Sequence, residues 1–540
     1  MRCRIMTTVL PPGAATSSPP ADVLAAAPPP AGVLESIENA VNTVFDPISS
    51  GLSSIVFYEV TVFGISFPWI VAWLILAGMI FTVYFGFVQF RSLALAVRIV
   101  RGRYTRKDEP GEITHFQALA SALSGTVGLG NIAGVGVAVT IGGPGATFWM
   151  IVAGLLSMAT KFVECTLGVK YREVHADGTV SGGPMHYLRL GVAERIPNGF
   201  GRGLGKVLAA GAAVMILFFG VAGGNMFQAN QTFAQLREVT GGESGLLGSS
   251  GAALGFGVLL ALVVGAVVFG GIRSIGAVTG RLVPAMAIIY VAACLVVIAV
   301  NIAQVPSAIG LILAGAFSAE GVVGGAIGAL IVGFQRAAFS NEAGLGSSPI
   351  AHSAVRTRNP ATEGYVAMIE PLVDTVLICT MTALTIVIAG TPFWAEARAT
   401  AFASGGDDVP DGVLVTSDAF ATVLPWFPYV LALAVLLFAL STIITWGYYG
   451  QKAWTYLFGK SPVSERIYQT VFCLFVIVGS VLTLGSVLDF ADAVLFLLAV
   501  FNIIGLYLLA PIVKREVRAF RERLRQGEIT EVEPSERSML

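Results

Sequence analysis

Two short strings hold most of the chemistry available to this 540-residue chain. SGTVGLGNIAG runs from Ser124 to Gly134, and FSNEAGLGSSP runs from Phe339 to Pro349. Each sets a Gly-Leu-Gly among Ser, Thr and Asn side chains, the second with Glu342, midway along an otherwise oily run. Glycine costs about 1 kcal/mol against alanine inside a helix, so two close together with polar neighbours predict an unwound point. Unwinding frees N–H groups at a positive dipole end, which suit a carboxylate, and carbonyls at a negative end, which suit a cation. Ser340, Asn341, Thr126 and Asn131 add neutral oxygens, the ligand type a hard monovalent cation accepts. Such a pair of ends binds a zwitterion and a sodium ion together.

The elements that must position these strings follow from composition. The chain is 55% apolar and 12% charged, with a mean hydropathy of +0.79, which reads as an all-α membrane protein. Eleven apolar segments are long enough to cross a ~30 Å hydrocarbon core: roughly 68–90, 115–141, 145–170, 206–233, 252–271, 279–302, 322–350, 364–390, 427–450, 467–486 and 489–513. A stretch at 306–317 is too short to span and reads as a surface helix. Alternate loops differ in Lys and Arg as the positive-inside rule requires. Loops after the odd-numbered segments, with the tail, hold 26 of the 32 basic residues. The N-terminus is therefore expected outside and the C-terminus in the cytoplasm, in a plasma (bacterial inner) membrane.

The flanks divide as a disordered Ala/Pro-rich extension at 1–34, an interfacial amphipathic segment at 35–67, the membrane domain at 68–513 and a basic tail at 514–540. Prolines 11, 12, 19 and 20 interrupt the N-terminus before an apolar core develops, so cleavage of a signal peptide is not predicted. Five scattered cysteines without CxxC spacing indicate neither a disulfide framework nor a zinc site.

Leaving out the first segment, the other ten divide into five and five, and the two interrupted segments are the first of each half. An odd number of spans per half turns the second half upside down. Paired broken helices in two inverted halves are the pointer to a secondary transporter with its site near the bilayer midplane. The competing reading is that the small residues serve helix crossing, with Gly130–Gly134 as a GxxxG pair.

Other polar residues inside the spans carry weaker signals. Asn225 and Gln228 either reach a substrate amine or bond between helices. Lys161 and Glu164 are spaced for an intrahelical ion pair, and Arg336 is a candidate partner for Glu342. Glu370 and Asp374, four apart on one helix face, imply a cation, a basic partner or a raised pKa. Trp446 either walls a small pocket or packs. The four histidines lie in or beside loops, which argues against a His-ligated transition metal. No P-loop, HExxH or GxSxG constellation is present, so ATP-driven pumping and hydrolysis lack residues to carry them, and the chain is not read as an enzyme.

The strings ALSGTVGLGNIAGV, IGGPGATFW, MATKFVE and RAAFSNEAGLGSSPIAH resemble the alanine or glycine:cation symporter family over about residues 68 to 513. That resemblance implies a leucine-transporter-type fold, one leading helix before a 5+5 inverted repeat with two broken helices. Together with the polar residues already named, it gives a candidate site. Thr126, Gly128, Leu129, Gly130, Asn131, Gln228, Phe339, Ser340, Asn341 and Trp446 would surround the substrate. Ser124, Val127, Phe438, Ser441 and Thr442 would hold sodium. Glu342 and Asp374 are candidates for ion coupling; Asp374 stands where some relatives use an amide at a second sodium site. The implied activity is sodium-coupled import of a small neutral amino acid, alanine or glycine, by alternating access. It needs Na+ as coupling ion, no organic cofactor, and a lipid bilayer but no nucleic acid. Proton coupling through Glu342, Glu370 or Asp374 is the rival within transport, and an amino-acid- or ion-conducting channel is the rival outside it.

Overall fold

The computed structural model describes residue 43 and residues 47–62, 65–318, 325–405, 412–481 and 485–533. The extension expected at 1–34 lies outside the described residues, as do all but one of residues 35–46 and the last seven of the tail. Eight helices among the described residues are long and apolar enough to cross a bilayer, and the bent pair His115–Thr126 and Leu129–Ile141 makes a ninth crossing. The two remaining expected spans appear as shorter helices, Trp69–Tyr84 of 16 residues and Gly325–Asn341 of 17. Exposed Leu259, Leu262, Ile288 and Leu474 sit on outward faces of these helices, the surface that lipid covers in a multi-pass membrane protein.

Ahead of the first helix, Glu59–Val62 and Ile65–Pro68 form an antiparallel hairpin with Val60 opposite Phe67. Its β-branched residues favour strands. The following helix is tied to the helical stretch that precedes the hairpin by the Trp69 indole, which donates to the Ile55 carbonyl at 3.0 Å. Val305–Phe317, expected as a short surface helix, packs on Ala146–Lys170 and Gly325–Asn341.

The first broken helix starts with a capping box: Thr114 accepts from the Gln117 amide and the Gln117 side chain accepts from Thr114 N–H. It ends at Thr126. Val127 and Gly128 are extended, a 3₁₀ turn covers Leu129–Asn131, and Ala133–Ile141 resumes after a 60° bend. The second broken helix runs Gly325–Asn341 and restarts as Ser348–His352, with Pro349 in its first turn, where a missing N–H costs nothing. Between them Glu342 has φ 55°, in the left-handed region that costs a non-glycine residue about 1–2 kcal/mol. Gly344 and Gly346, at φ 90° and 79°, carry the chain through the rest of the break.

Two further spans are interrupted by π-turns, which often mark functional sites. Ala222–Met226 joins Gly199–Val221 to Phe227–Val239, and Leu372–Cys379 precedes Thr380–Ala389. The helix Phe427–Phe458 packs against His115–Thr126, Gly199–Val221 and Gly271–Val300. Gly412–Ala421 lies across the second limb of the first broken helix. The approach is so close that a Cβ on Gly136 would fall 2.2 Å from the Gly412 carbonyl oxygen.

Candidate functional site

Between the two breaks lies a small cavity, with about 20 Å³ open to the centre of a water-sized sphere. Its wall comprises Gly125, Thr126, Gly128, Gly130, Phe219, Gly223, Gln228, Phe339, Glu342, Thr442 and Trp446. That is room for roughly one or two waters. Trp446 is seated directly on Gly224, where a Cβ would come within 2.4 Å of the indole, and Phe219 stacks edge-on against it at 4.6 Å. Gln228 donates to the Gly223 carbonyl at 3.2 Å, while its side-chain oxygen has no partner among the described residues. A buried acceptor left open at a cavity wall is what an ammonium or amide donor would satisfy.

Six of the ten residues expected around a substrate line this cavity. The other four are turned elsewhere. Leu129 is buried at the start of the 3₁₀ turn. Asn131 accepts from Gly128 N–H at 2.8 Å and donates to the Asp374 carboxylate at 2.7 Å. Ser340 donates to the same carboxylate at 2.8 Å. Asn341 donates to Thr375 and accepts from Ala343 N–H, each at 3.0 Å. These three polar side chains hold the shape of the breaks, bringing both helices onto Asp374. Gly130 abuts Phe339 and Ser340, whereas a Cβ on Gly134 would meet nothing within 4 Å. The GxxxG crossing therefore gives way to a direct contact between the two breaks.

The residues expected to hold sodium converge one layer away. The Ser124 carbonyl accepts from Thr442 at 3.1 Å and Ser441 at 3.4 Å, and Ser441 also donates to the Phe438 carbonyl at 2.8 Å. Ser124 Oγ donates to the Ser441 carbonyl at 2.7 Å and accepts from Thr445 at 2.9 Å. Val127, at the end of the helical limb, is buried beside them. All these groups are neutral oxygens of hydroxyls or carbonyls.

The charged residues find partners that differ from those expected. Arg336 pairs with Asp492 at 2.9 Å and lies over the Phe339 ring; Glu342 instead accepts from Ser347 and from the Trp446 indole. Lys161 pairs with Glu370 at 3.1 Å and donates to Ser348. Glu164 accepts from Gly346 N–H at 2.9 Å and from Asn502, which also holds the Gly344 carbonyl. The intrahelical pair is thus replaced by two side chains that each grip the second break. Glu370 and Asp374 have different partners: Glu370 meets Lys161, Ser348 and His352, whereas Asp374 accepts from Asn131, Ser340 and Thr375.

His115 and His352 stand beside loops, as the first residue of His115–Thr126 and the last of Ser348–His352, and both are wholly buried. Glu363 bridges the two rings, and His352 Nε2 meets Glu370 at 2.6 Å. An unbroken polar chain thus runs from Thr105 through His115, Glu363, His352 and Glu370 to Lys161 and Ser348. Cys165, His352 and Glu370 come within metal-sharing distance. Both nitrogens of His352 are already engaged, so the carboxylates and lysine satisfy one another. Glu363 and Thr105 escaped the sequence reading, as did Phe219, Gly223 and Asn502. The one available signal was the Gly223–Gly224 pair beside Asn225, and Asn225 itself donates to the Phe472 carbonyl at 2.8 Å.

Residues 52–534 match the sodium:alanine symporter family. The sodium/alanine symporter AgcS of Methanococcus maripaludis is 37% identical over 456 residues, 84% of this chain and 94% of that protein. The amino-acid carrier protein AlsT of Bacillus subtilis is 33% identical over 454 residues, covering 83% and 89%. Among solved structures, MhsT in complex with L-phenylalanine aligns with 74% of this chain and 89% of its own, at 16% identity and a TM-score of 0.45. With two broken helices meeting at a small cavity and a family match across nearly the whole chain, this protein belongs to the sodium:alanine symporter family: a cation-coupled amino-acid transporter and not an enzyme.

Proposed function

We propose that the protein couples downhill sodium entry to import of a small neutral amino acid, alanine or glycine, by alternating access. Its N-terminus lies outside and its C-terminus in the cytoplasm of the plasma (bacterial inner) membrane, as the loop charges require. The observation that carries the reading is the place of Thr442. Its side chain belongs to the neutral-oxygen cluster at Ser124 and also lines the cavity beside Gly128. An ion ordering that hydroxyl and the Ser124–Gly128 backbone prepares the wall on which the substrate carboxylate rests, so each ligand favours the other. The aromatic walls of Phe219, Phe339 and Trp446 and the small volume favour a side chain of one carbon or none. M. maripaludis AgcS is a sodium/alanine symporter, which accords with that size.

Two carboxylates keep proton coupling as a second reading: Glu342 lines the cavity, and Asp374 accepts, among the described residues, from the neutral donors Asn131, Ser340 and Thr375. Uptake of radiolabelled alanine into proteoliposomes separates the two. A sodium gradient at equal pH drives accumulation under the first reading. Accumulation under a pH gradient without sodium, abolished by Glu342→Gln or Asp374→Asn, establishes the second instead.

A further inference from the structure

Away from the two breaks, a cavity of about 190 Å³ opens between the hairpin at 173–181, the helix Pro184–Arg195 and the end of Phe427–Phe458. Three cations line it, Arg189, Lys452 and Lys460, against a single carboxylate, Glu173. Lys460 is neutralised by Asp177 at 3.1 Å. The other two have no carboxylate within ion-pair distance among the described residues: Arg189 lies over the Tyr456 ring at 5.5 Å, and Lys452 donates to the Val180 carbonyl at 2.8 Å. His186, only 7% exposed, also lines the cavity, and its Nδ1 has no hydrogen-bond partner among the described residues.

An unpaired guanidinium, an unpaired ammonium and an orphaned imidazole nitrogen around one polar cavity leave a charge and a hydrogen bond unmatched. Burying such a set costs free energy unless an anion completes it. We propose that this cavity is a binding site for a phosphoryl anion, held by Arg189 and Lys452 with His186 as a third contact. Arginine's planar fork suits a tetrahedral phosphoryl group, and lysine adds a point charge. Leu190 and Phe458, both exposed, lie on the two helices that form the site. They offer apolar ground for acyl chains, so the phosphoryl group can come from an anionic phospholipid as well as from free phosphate. Basic pockets between helices on the cytoplasmic side hold such headgroups; placing this one on that side rests on the orientation proposed above, whereas binding in detergent does not. Lys452 is on the same helix as Ser441, Thr442 and Trp446. An anion there ties the end of that helix to the 173–181 hairpin.

The test is thermal unfolding of the purified full-length chain in detergent, titrated with inorganic phosphate in one arm and with phosphatidylglycerol against phosphatidylcholine in the other. Saturable stabilisation by phosphate assigns a free anion, and stabilisation by phosphatidylglycerol alone assigns a lipid headgroup. In either case Arg189→Gln and Lys452→Gln each weaken the response about tenfold, and Arg189→Lys restores part of it. Arg189→Gln removes no hydrogen bond to backbone, so it decides the matter if Lys452→Gln disturbs the hairpin. No saturable response to either probe, or equal responses in wild type and Arg189→Gln, overturns the proposal. Sodium-driven alanine uptake, measured in parallel, reports separately on the transport reading.

Discussion

The Thr442 hydroxyl donates to the Ser124 carbonyl at 3.1 Å and sits where a Cβ on Gly128 would be 2.7 Å away. One side chain thus touches both the oxygen cluster at the end of the first helical limb and the backbone turn that lines the cavity. Coupling between two ligands needs a shared element whose position both of them bias, and this hydroxyl is placed to be that element.

Removing the oxygens should therefore weaken sodium first and substrate second. Ser441→Ala and Thr442→Ala are each expected to raise the sodium concentration for half-maximal alanine uptake by about tenfold or more, the range for losing a bond to a charged group. The Thr442 variant should also raise the alanine KM. Sodium titrations of uptake at fixed alanine check both.

Gly128 and Gly134 lie six residues apart in the same string and should respond oppositely to one methyl. Gly128→Ala drives a Cβ into the Thr442 hydroxyl and should abolish uptake while leaving the protein folded. Gly134→Ala meets nothing within 4 Å and sits in a helix, where alanine is better by about 1 kcal/mol. Its uptake should stay within about twofold of wild type, with an unchanged or higher melting temperature.

The buried chain from His115 to Lys161 predicts a stability effect without a direct binding effect. Lys161→Met leaves Glu370 facing Ser348 and His352 without its ammonium. Breaking a buried pair in this way costs about 3–5 kcal/mol. Thermal unfolding should show that loss, and adding Glu370→Gln to Lys161→Met should recover part of it.

Acid should act through His186, in the helix between the third and fourth spans. Burial, with Arg189, Lys452 and His175 nearby, holds its imidazole down to about 4. A base with a lowered folded pKa stabilises the protein fully above the unfolded value near 6.5, and that stability drains away as pH falls from there toward 4. The melting temperature should drop over that window, and His186→Gln should flatten the slope.

The broken helices were legible because a Gly-Leu-Gly among polar residues occurs at matching places in the two halves, first span against first span. The orientation of the side chains within them was not. Asn131, Ser340 and Asn341 look like ligands in the string, and only folding reveals Asp374 and Thr375, more than 30 residues away from any of them, as their partners. The π-turns were equally hidden, since nothing in the apolar pattern of 206–233 or 364–390 sets them apart from an ordinary helix. His115 and His352 stand at the ends of their limbs, beside loops, a position that gives no sign of their burial. Arg336 chose Asp492 over Glu342 through a contact 156 residues distant, which no local spacing encodes.

The most direct measurement is alanine binding to the purified protein by calorimetry, with and without sodium, in wild type and in Thr442→Ala. A shared hydroxyl requires that sodium tighten alanine, by linkage the factor by which alanine tightens sodium, and that this factor fall toward one in the variant. Equal alanine affinity with and without sodium in the wild type, or a factor unchanged by Thr442→Ala, would contradict it.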